Sequence, residues 1–382
     1  MKHVLSASLI APEPLTEVEN KNMKLIAAMS GGVDSAVAAA RAKEAGHEVI
    51  GVHLALSKNP KKYRSGARGC CTIEDSHDAR RAADVIGIPF YIWDMSDEFH
   101  ENVVENFLSE YASGNTPNPC LRCNEKIKFA AVLDRAKAMG FDGVVTGHYA
   151  QTKDIDGQRL LYRAVDSGKD QSYVLAVLNQ EQINGAHFPL GDTTKDDVRL
   201  EAKSRGLSVA LKPDSHDICF VPSGDNAGWL RERLGSQVGD IVDEAGNKLG
   251  EHNGAYTFTI GQRRGLALSV PEKTGEPRYV LKVEPVNNRV VVGVKADLAI
   301  YEVSGLNPIW CGPKPSGQKS GFIQVRAHGS AHSCKYFLDE SGPLPELKAV
   351  VDQPIYGLAT GQAMVIYDGD RVVGSATITG TK

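Results

Sequence analysis

Short apolar runs alternate with helical stretches through the first half of the chain, and this alternation constrains the fold more than any other feature. Lys24 to Met29 reads as a strand that runs into the turn Ser30-Gly31-Gly32, and the alanine-rich stretch after Asp34 reads as a helix. Glu48 to Leu54 reads as a second strand, Asp75 to Ile86 as a helix and Phe90 to Trp93 as a strand. Glu125 to Met139 follows as a helix capped by Asn124, and Gly143 to Thr146 as another strand. Strands separated by helices of this length pair in parallel through right-handed crossovers, so an α/β domain with a parallel sheet is expected.

From about residue 222 helical periodicity gives way to short β-rich runs broken by glycine, such as Gly239 to Val242 and Ala255 to Ile260. Beyond about residue 300, Phe322 to Arg326, Leu347 to Val351 and Ala363 to Tyr367 are again strand-like, which suits a terminal β-barrel or sandwich. At 382 residues the chain exceeds the roughly 150 residues of a typical domain. The expected division is an extension at 1–22, a parallel-sheet domain at 23–221, a β-rich middle domain at 222–300 and a C-terminal β-barrel at 301–382.

No apolar run approaches the roughly 18 residues of a membrane span, so no membrane association is expected. The net charge of -4 gives no global footprint for nucleic acid, and RNA contact would have to use local basic patches. Lys58, Lys61, Lys62, Arg64 and Arg68 form one such patch. Seven irregularly spaced cysteines do not make a disulfide framework, so a reducing cytoplasm is expected and the thiols are available as chemistry.

Ser30-Gly31-Gly32-Val33-Asp34-Ser35 lies between a predicted strand and a predicted helix. Paired glycines let the backbone approach an anion, and the amides of a helix N-terminus favour it. Asp34 could help hold Mg2+, and the Ser30 and Ser35 hydroxyls could donate to phosphate. An ordinary glycine turn with a serine cap is the plain alternative. In Thr116-Pro117-Asn118-Pro119-Cys120-Leu121-Arg122-Cys123-Asn124, Cys123 precedes the predicted helix, where the dipole with Arg122 and Lys126 favours thiolate. A redox pair or half a zinc site would also use this spacing, but no second half of a zinc site follows. Cys219, in Ser215-His216-Asp217-Ile218-Cys219-Phe220, reads either as a small buried apolar residue or, beside Asp214, His216 and Asp217, as a reactive thiol.

The first hexapeptide resembles the PP-loop of the ATP pyrophosphatases, which cleave ATP between the α- and β-phosphates. Together with the Thr116 to Asn124 and Ser215 to Phe220 segments, Thr146-Gly147-His148-Tyr149, Lys169-Asp170-Gln171-Ser172-Tyr173 and Thr259 to Leu266, it resembles the bacterial tRNA-specific 2-thiouridylases, the MnmA/TrmU family, over nearly the whole chain. The resemblance implies an N-terminal PP-loop domain of the adenine nucleotide α-hydrolase type, a β-rich middle domain and a C-terminal β-barrel. It further implies ATP-dependent 2-thiolation of the wobble uridine of tRNA through base adenylation, with AMP and pyrophosphate released.

By that resemblance Cys123 is the nucleophile and Cys219 the persulfide carrier, able to form a transient Cys123–Cys219 disulfide. Ala28, Met29, Ser30, Gly31, Gly32, Val33, Asp34, Ser35, Leu54 and Gly147 would bind ATP. His148, Lys169, Asp170, Gln171 and Gln362 would meet tRNA. A cysteine desulfurase or a sulfur relay protein would deliver the persulfide. Many members carry Asp where this chain has Cys120, and the change places three cysteines, Cys120, Cys123 and Cys219, where an iron-sulfur cluster is an alternative to the favoured persulfide scheme. A different PP-loop ligase, or a non-enzymatic iron-sulfur or nucleotide-sensing RNA-binding protein, are the rival readings.

Overall fold

The computed structural model describes residues 22–57, 73–214, 218–221, 224–266, 268 and 275–382. Along the chain come strands β1 (Lys24–Ala28), β2 (Glu48–Ala55), β3 (Phe90–Asp94) and β4 (Gly143–Val145). A hairpin, β5 (Gln151–Ile155) and β6 (Gln158–Tyr162), follows, and then β7 (Ala186–His187). β1, β2, β3, β4 and β7 form a sheet in the order β3-β2-β1-β4-β7, and every pairing in it is parallel.

Side chains alternate across a strand, so β1 feeds two cores. Leu25 and Ala27 pack with the helices Val33–Glu44 and Ile73–Ile86, through Ala36, Val37, Ala79 and Ala83 among others. Ile26 points the other way, to Val52, Phe99, Phe107, Ile127 and Leu133. A parallel sheet covered on both faces explains the near-continuous apolar character of its central strands. The run of small residues in the first helix, with Ala38 and Ala39 fully buried, lets that helix lie close to its neighbours.

The helix expected from Glu125 begins earlier. Pro119–Cys123, Asn124–Ala131 and Val132–Ala138 follow one another without a break, and the cap is Asn118, whose Oδ1 accepts from the Cys120 N–H at 3.0 Å. Proline suits this first helical position because it has no N–H to satisfy. Asn124 is inside the helix, 1% exposed, and donates its amide to the Val174 carbonyl at 2.9 Å. Cys120 and Cys123 therefore sit in the opening turns of the helix, not in the loop before it.

In the middle region β8 (Gly239–Val242), β9 (Lys248–His252), β10 (Tyr279–Glu284) and β11 (Arg289–Gly293) form a sheet of order β10-β11-β8-β9 around Ile241, Val280, Val290 and Val292. Ala255 to Ile260, expected as a strand, is instead a helical turn at Ala255–Thr257 followed by loop. Thr257 Oγ1 donates to the Gly254 carbonyl at 2.8 Å, a local bond that competes with a strand ladder.

The last strands are β12 (Ala299–Trp310), β13 (Lys319–Gln324), β14 (His332–Asp339), β15 (Glu346–Tyr356), β16 (Ala363–Asp368) and β17 (Arg371–Thr381). They pair antiparallel in the order β12-β15-β14-β13-β16-β17, and β12 also pairs with β17, which closes a six-stranded barrel. Closure leaves these strands no long open edge. The hairpin β5–β6 joins the same sheet where Tyr162 pairs with Arg371 of β17. Arg163 secures this junction: its guanidinium stacks 3.6 Å from the Tyr367 ring centroid and donates to Asp170 and Gln324 at 2.9 Å.

Candidate active site

The strand order places β1 between β2 and β4, so the direction of winding reverses there. In open α/β sheets the crevice at the carboxyl ends of such strands is the ligand site. Ser30 to Ser35 follows β1 at that end, and Gly147 follows β4 beside it. A Cβ on Gly147 would lie 2.6 Å from the Asp34 carbonyl carbon and the Ser35 nitrogen, so only glycine lets the two ends meet. Gly31 has φ +82°, and a Cβ there would lie 2.2 Å from the Asp75 carbonyl oxygen.

Gly32 caps the helix Val33–Glu44 in an extended conformation and no side chain caps it, so the first-turn amides face the crevice end with the positive pole of the helix. This is the geometry that receives a phosphate. The Ser35 hydroxyl accepts from the Ser30 N–H at 3.2 Å and donates to the Gly32 carbonyl at 3.1 Å, so it holds the loop's own shape. Met29 and Val33 are buried and shape the floor. Behind them His53 bonds the Met29 carbonyl at 2.9 Å. Burial lowers its pKa, against the opposing pull of that bond, so a neutral ring donates through Nδ1. Ala28 and Leu54 pack partly buried against the core on the far face of the sheet.

Asp34 lies at the centre of a charged network that sequence spacing does not reveal. Lys195 Nζ donates to both of its carboxylate oxygens at 2.7 Å, and the Tyr149 hydroxyl donates to one at 2.8 Å. Lys195 also pairs with Asp214 at 2.9 Å, which in turn pairs with Lys169 at 2.7 Å and Arg199 at 2.6 Å. Burial pushes the Asp214 carboxyl up, but Lys169 and Lys195 outweigh it and hold the pKa well below the carboxylate range. Burial and the Asp34 charge push the Tyr149 hydroxyl far up, so it stays a donor. On the other side Lys212 donates to the Gly31 carbonyl at 2.9 Å and to Asp75 and Asp78 at 2.7 and 2.8 Å, which clamps the loop to the helix Ile73–Ile86.

Cys123 is buried and Cys120 exposed, on the same helical turn. Cys219 is half-buried and packs against the apolar cluster that includes Cys123, Phe99, Phe107 and Phe220. The fold thus brings to one cluster two cysteines far apart in sequence. Among the described residues no group of three or more His, Cys, Asp or Glu side chains is drawn together so as to hold a metal ion. For Mg2+ the protein offers the Asp34 carboxylate, whose oxygens already face Lys195. A magnesium ion there would arrive on the nucleotide's phosphates.

The residues expected to meet tRNA divide by exposure. Gln171 is exposed and Lys169 half-buried. The Asp170 carboxylate is turned inward, accepting from Arg163, Ser172 and the Ala164 N–H, and His148 is buried between Thr146 Oγ1 at 2.8 Å and Lys128 Nζ at 3.4 Å. Burial and the Lys128 charge hold the His148 pKa well below its usual value, so the ring is neutral. Gln362 lies in the loop before β16 and donates its side-chain amide to the Thr116 carbonyl. Lys58, Lys61, Lys62, Arg64, Arg68, Cys70, Cys71, His216 and Asp217 lie outside the described residues.

Three family profiles tile the chain: one described as a tRNA methyl transferase HUP domain over residues 23–223, a tRNA methyl transferase PRC-barrel domain over 227–294, and an aminomethyltransferase beta-barrel domain over 302–378. A tRNA-specific 2-thiouridylase MnmA of Nocardioides sp. is 62% identical over 94% of this chain and 98% of its own length. The chain belongs to the tRNA-specific 2-thiouridylase family. The MnmA proteins of Streptomyces coelicolor and Cutibacterium acnes are each 59% identical, over 96% and 94% of this chain and 97% of their own. The 2-thiouridylase family match covers all three folded units, including the barrel that the hairpin β5–β6 joins. No described helix of this family member is long and apolar enough to cross a membrane.

Proposed function

We propose that this chain, a tRNA sulfurtransferase by its family, replaces the 2-oxygen of a tRNA wobble uridine with sulfur, using ATP and a persulfide carried on Cys219. In this reading the first-turn amides of the helix Val33–Glu44 and the Gly31–Gly32 backbone hold the ATP phosphates. The uridine 2-oxygen attacks the α-phosphorus, the α–β bridge breaks and pyrophosphate leaves, so the base carries AMP on oxygen. The poor leaving group thereby becomes a good one.

The terminal sulfur of the Cys219 persulfide attacks C2 and AMP departs with the oxygen. The Cys123 thiolate then attacks the Cys219 sulfur, leaving 2-thiouridine and a Cys123–Cys219 disulfide, which an external thiol reductant returns to two thiols. A related order has Cys123 attack the persulfide first and liberate hydrosulfide as the nucleophile. The base leaves the anticodon stack to reach these groups, with unstacking as part of the binding cost. Lys169 and Gln171 meet the RNA, and Asp170 and His148 support them from within. The persulfide arrives from a cysteine desulfurase or a sulfur relay protein.

The observation that carries this reading is the convergence of Cys123 and Cys219 on one apolar cluster beneath the sheet whose upper end presents the phosphate-binding turn. Incubation of the protein with ATP, a persulfide donor and tRNA, followed by nucleoside mass spectrometry, tests it. The expected product shows the mass gain of an oxygen-to-sulfur exchange. A methyl gain on uridine would instead favour methyl transfer.

A further inference from the structure

Lys128 is a half-buried cation that meets no carboxylate among the described residues. Its ammonium has three N–H donors, and the bond found for it is to His148 Nε2 at 3.4 Å. The other cations around the crevice face carboxylates: Lys195 faces Asp34 and Asp214, Lys169 and Arg199 face Asp214, and Lys212 faces Asp75 and Asp78. The acid nearest to Lys128 along its own helix, Glu125, is taken by Arg122 at 3.2 Å and Lys126 at 2.8 Å. A partly desolvated charge costs free energy unless an opposite charge meets it, so this ammonium suits an anion that arrives with the substrate.

Lys128 stands where the two halves of the site join. Its helix carries Cys123 five positions earlier, and the intervening stretch opens into the π-helix Asn124–Ala131, a rare geometry that recurs at functional sites. On the other side its partner His148 follows Gly147, where a Cβ would lie 2.6 Å from the Ser35 nitrogen of the phosphate-binding turn. The imidazole is held in place: its ring packs against Phe129 and Phe188, with centroids 6.1 Å from each, and its Nδ1 meets Thr146 Oγ1 at 2.8 Å. With an ammonium donating to Nε2, the proton of the neutral ring sits on Nδ1 and is donated to Thr146. His148 therefore orients Lys128 without neutralising its charge.

We propose that Lys128 is a catalytic residue whose ammonium bonds the non-bridging oxygens of the α-phosphoryl group, first in ATP and then in the adenylated uridine. The proposal rests on the adenylation reading above. In that reading pyrophosphate departs from the turn at Gly31–Gly32, and the α-phosphoryl group is the anion that lies between the turn and the cysteines. As the uridine oxygen bonds to phosphorus and the α–β bridge breaks, a fixed ammonium stabilises the charge on the α-phosphoryl oxygens. It stays on AMP while sulfur bonds C2 and the C2–O bond breaks. The ammonium keeps its proton throughout, so the step consumes neither acid nor base.

The test measures pyrophosphate release by the full chain with tRNA and no sulfur donor, using ATP and the two diastereomers of its α-phosphorothioate. Lys128→Gln should slow release about 100-fold, the usual cost of removing one donor from a developing oxyanion, and Lys128→Arg should recover part of the rate. Sulfur in place of an oxygen that meets the ammonium weakens that bond. The wild type should therefore favour one diastereomer and Lys128→Gln should lose the preference, a readout that a purely structural lysine would not move. A variant that keeps the wild-type preference overturns the proposal, as does one that releases pyrophosphate at the wild-type rate. A loss confined to tRNA affinity, with a flatter salt dependence and full release at saturating tRNA, would assign the lysine to the RNA backbone and also overturn it. A wild type that releases no pyrophosphate with tRNA defeats the adenylation reading itself. Should Lys128→Gln fail to fold, Lys128→Met keeps the apolar stem and stands in under the same criteria.

Discussion

Thr116 donates its backbone N–H to the Thr360 carbonyl at 2.8 Å, across the boundary between the parallel-sheet domain and the barrel. Thr360 Oγ1 returns a bond to Asn115 Oδ1 at 2.7 Å, and Gln362 bonds the Thr116 carbonyl. On the other flank a Cβ on Gly114 would lie 2.6 Å from Pro285 of the middle domain. The loop that leads into Cys120 and Cys123 is therefore gripped by both downstream domains.

Gly361 is expected to tolerate no side chain. Its φ is +84°, and a Cβ would lie 2.8 Å from Asn115 Cβ. Gly361→Ala should cost about 1–3 kcal/mol of stability through the backbone alone. It should also lower the thiolation rate more than ATP affinity, because it displaces the cysteine loop. Thermal unfolding together with kcat and nucleotide titration checks both parts, and equal losses in rate and affinity would count against the grip.

Asp34→Asn is expected to cut turnover by about 100-fold, the size of effect that follows a misplacement of roughly 1 Å near the reacting groups. It removes charge from the residue that orients Lys195 and accepts from Tyr149. With labelled ATP the wild type should yield AMP and pyrophosphate. ADP and phosphate as products would sink the adenylation scheme.

Ser at Cys123 or Cys219 should abolish thiolation while nucleotide binding survives, and Cys120→Ser should retain most activity. In a cluster mechanism the three substitutions would be equally damaging. Activity of metal-stripped protein supplied with a persulfide donor decides between them. Protein that revives only with iron and sulfide, and is equally dead as Cys120→Ser, would rule out the persulfide scheme.

Stability should fall with acid through His187. Burial, then the Arg159 and His47 charges, lower its pKa from 6.5 to about 4 against the opposing effect of Asp142. The unfolded state therefore takes up the proton first. The contribution is fully present above pH 6.5 and is lost progressively as pH falls toward about 4. Urea midpoints measured across this window should slope downward toward acid, and a stable His187→Gln variant should show a shallower slope.

The parallel-sheet elements were legible because each announces itself locally. β1, the turn at Gly31–Gly32 and the helix Val33–Glu44 follow from an apolar run, paired glycines and alanine periodicity within about twenty residues. The hairpin β5–β6 was not legible. Gln151–Ile155 is mostly polar and Gln158–Tyr162 buries only Leu160 and Leu161, so neither announces itself by strict alternation; they pair with each other, and β6 meets β17, from the far end of the chain, at Tyr162 and Arg371. The helix start at Pro119 was missed because Asn118 and Asn124 are equally good caps by residue type, and only the bond from the Cys120 N–H to Asn118 selects between them.

For the candidate site the division is the same. The sequence by itself brought out the Gly31–Gly32 turn and the cysteines at 120, 123 and 219 as candidates through residue type and short spacing, and the segment around Lys169 through its resemblance to the family. Only the tertiary structure decided that Lys195 and Asp214 tie the turn to the segment around Lys169, that Asp170 and His148 face inward, and that Cys123 and Cys219 share one apolar cluster. Lys195 lies 161 residues from Asp34, and a contact at that separation depends on which strands the chain has already placed side by side. Local sequence pattern carries no record of that pairing.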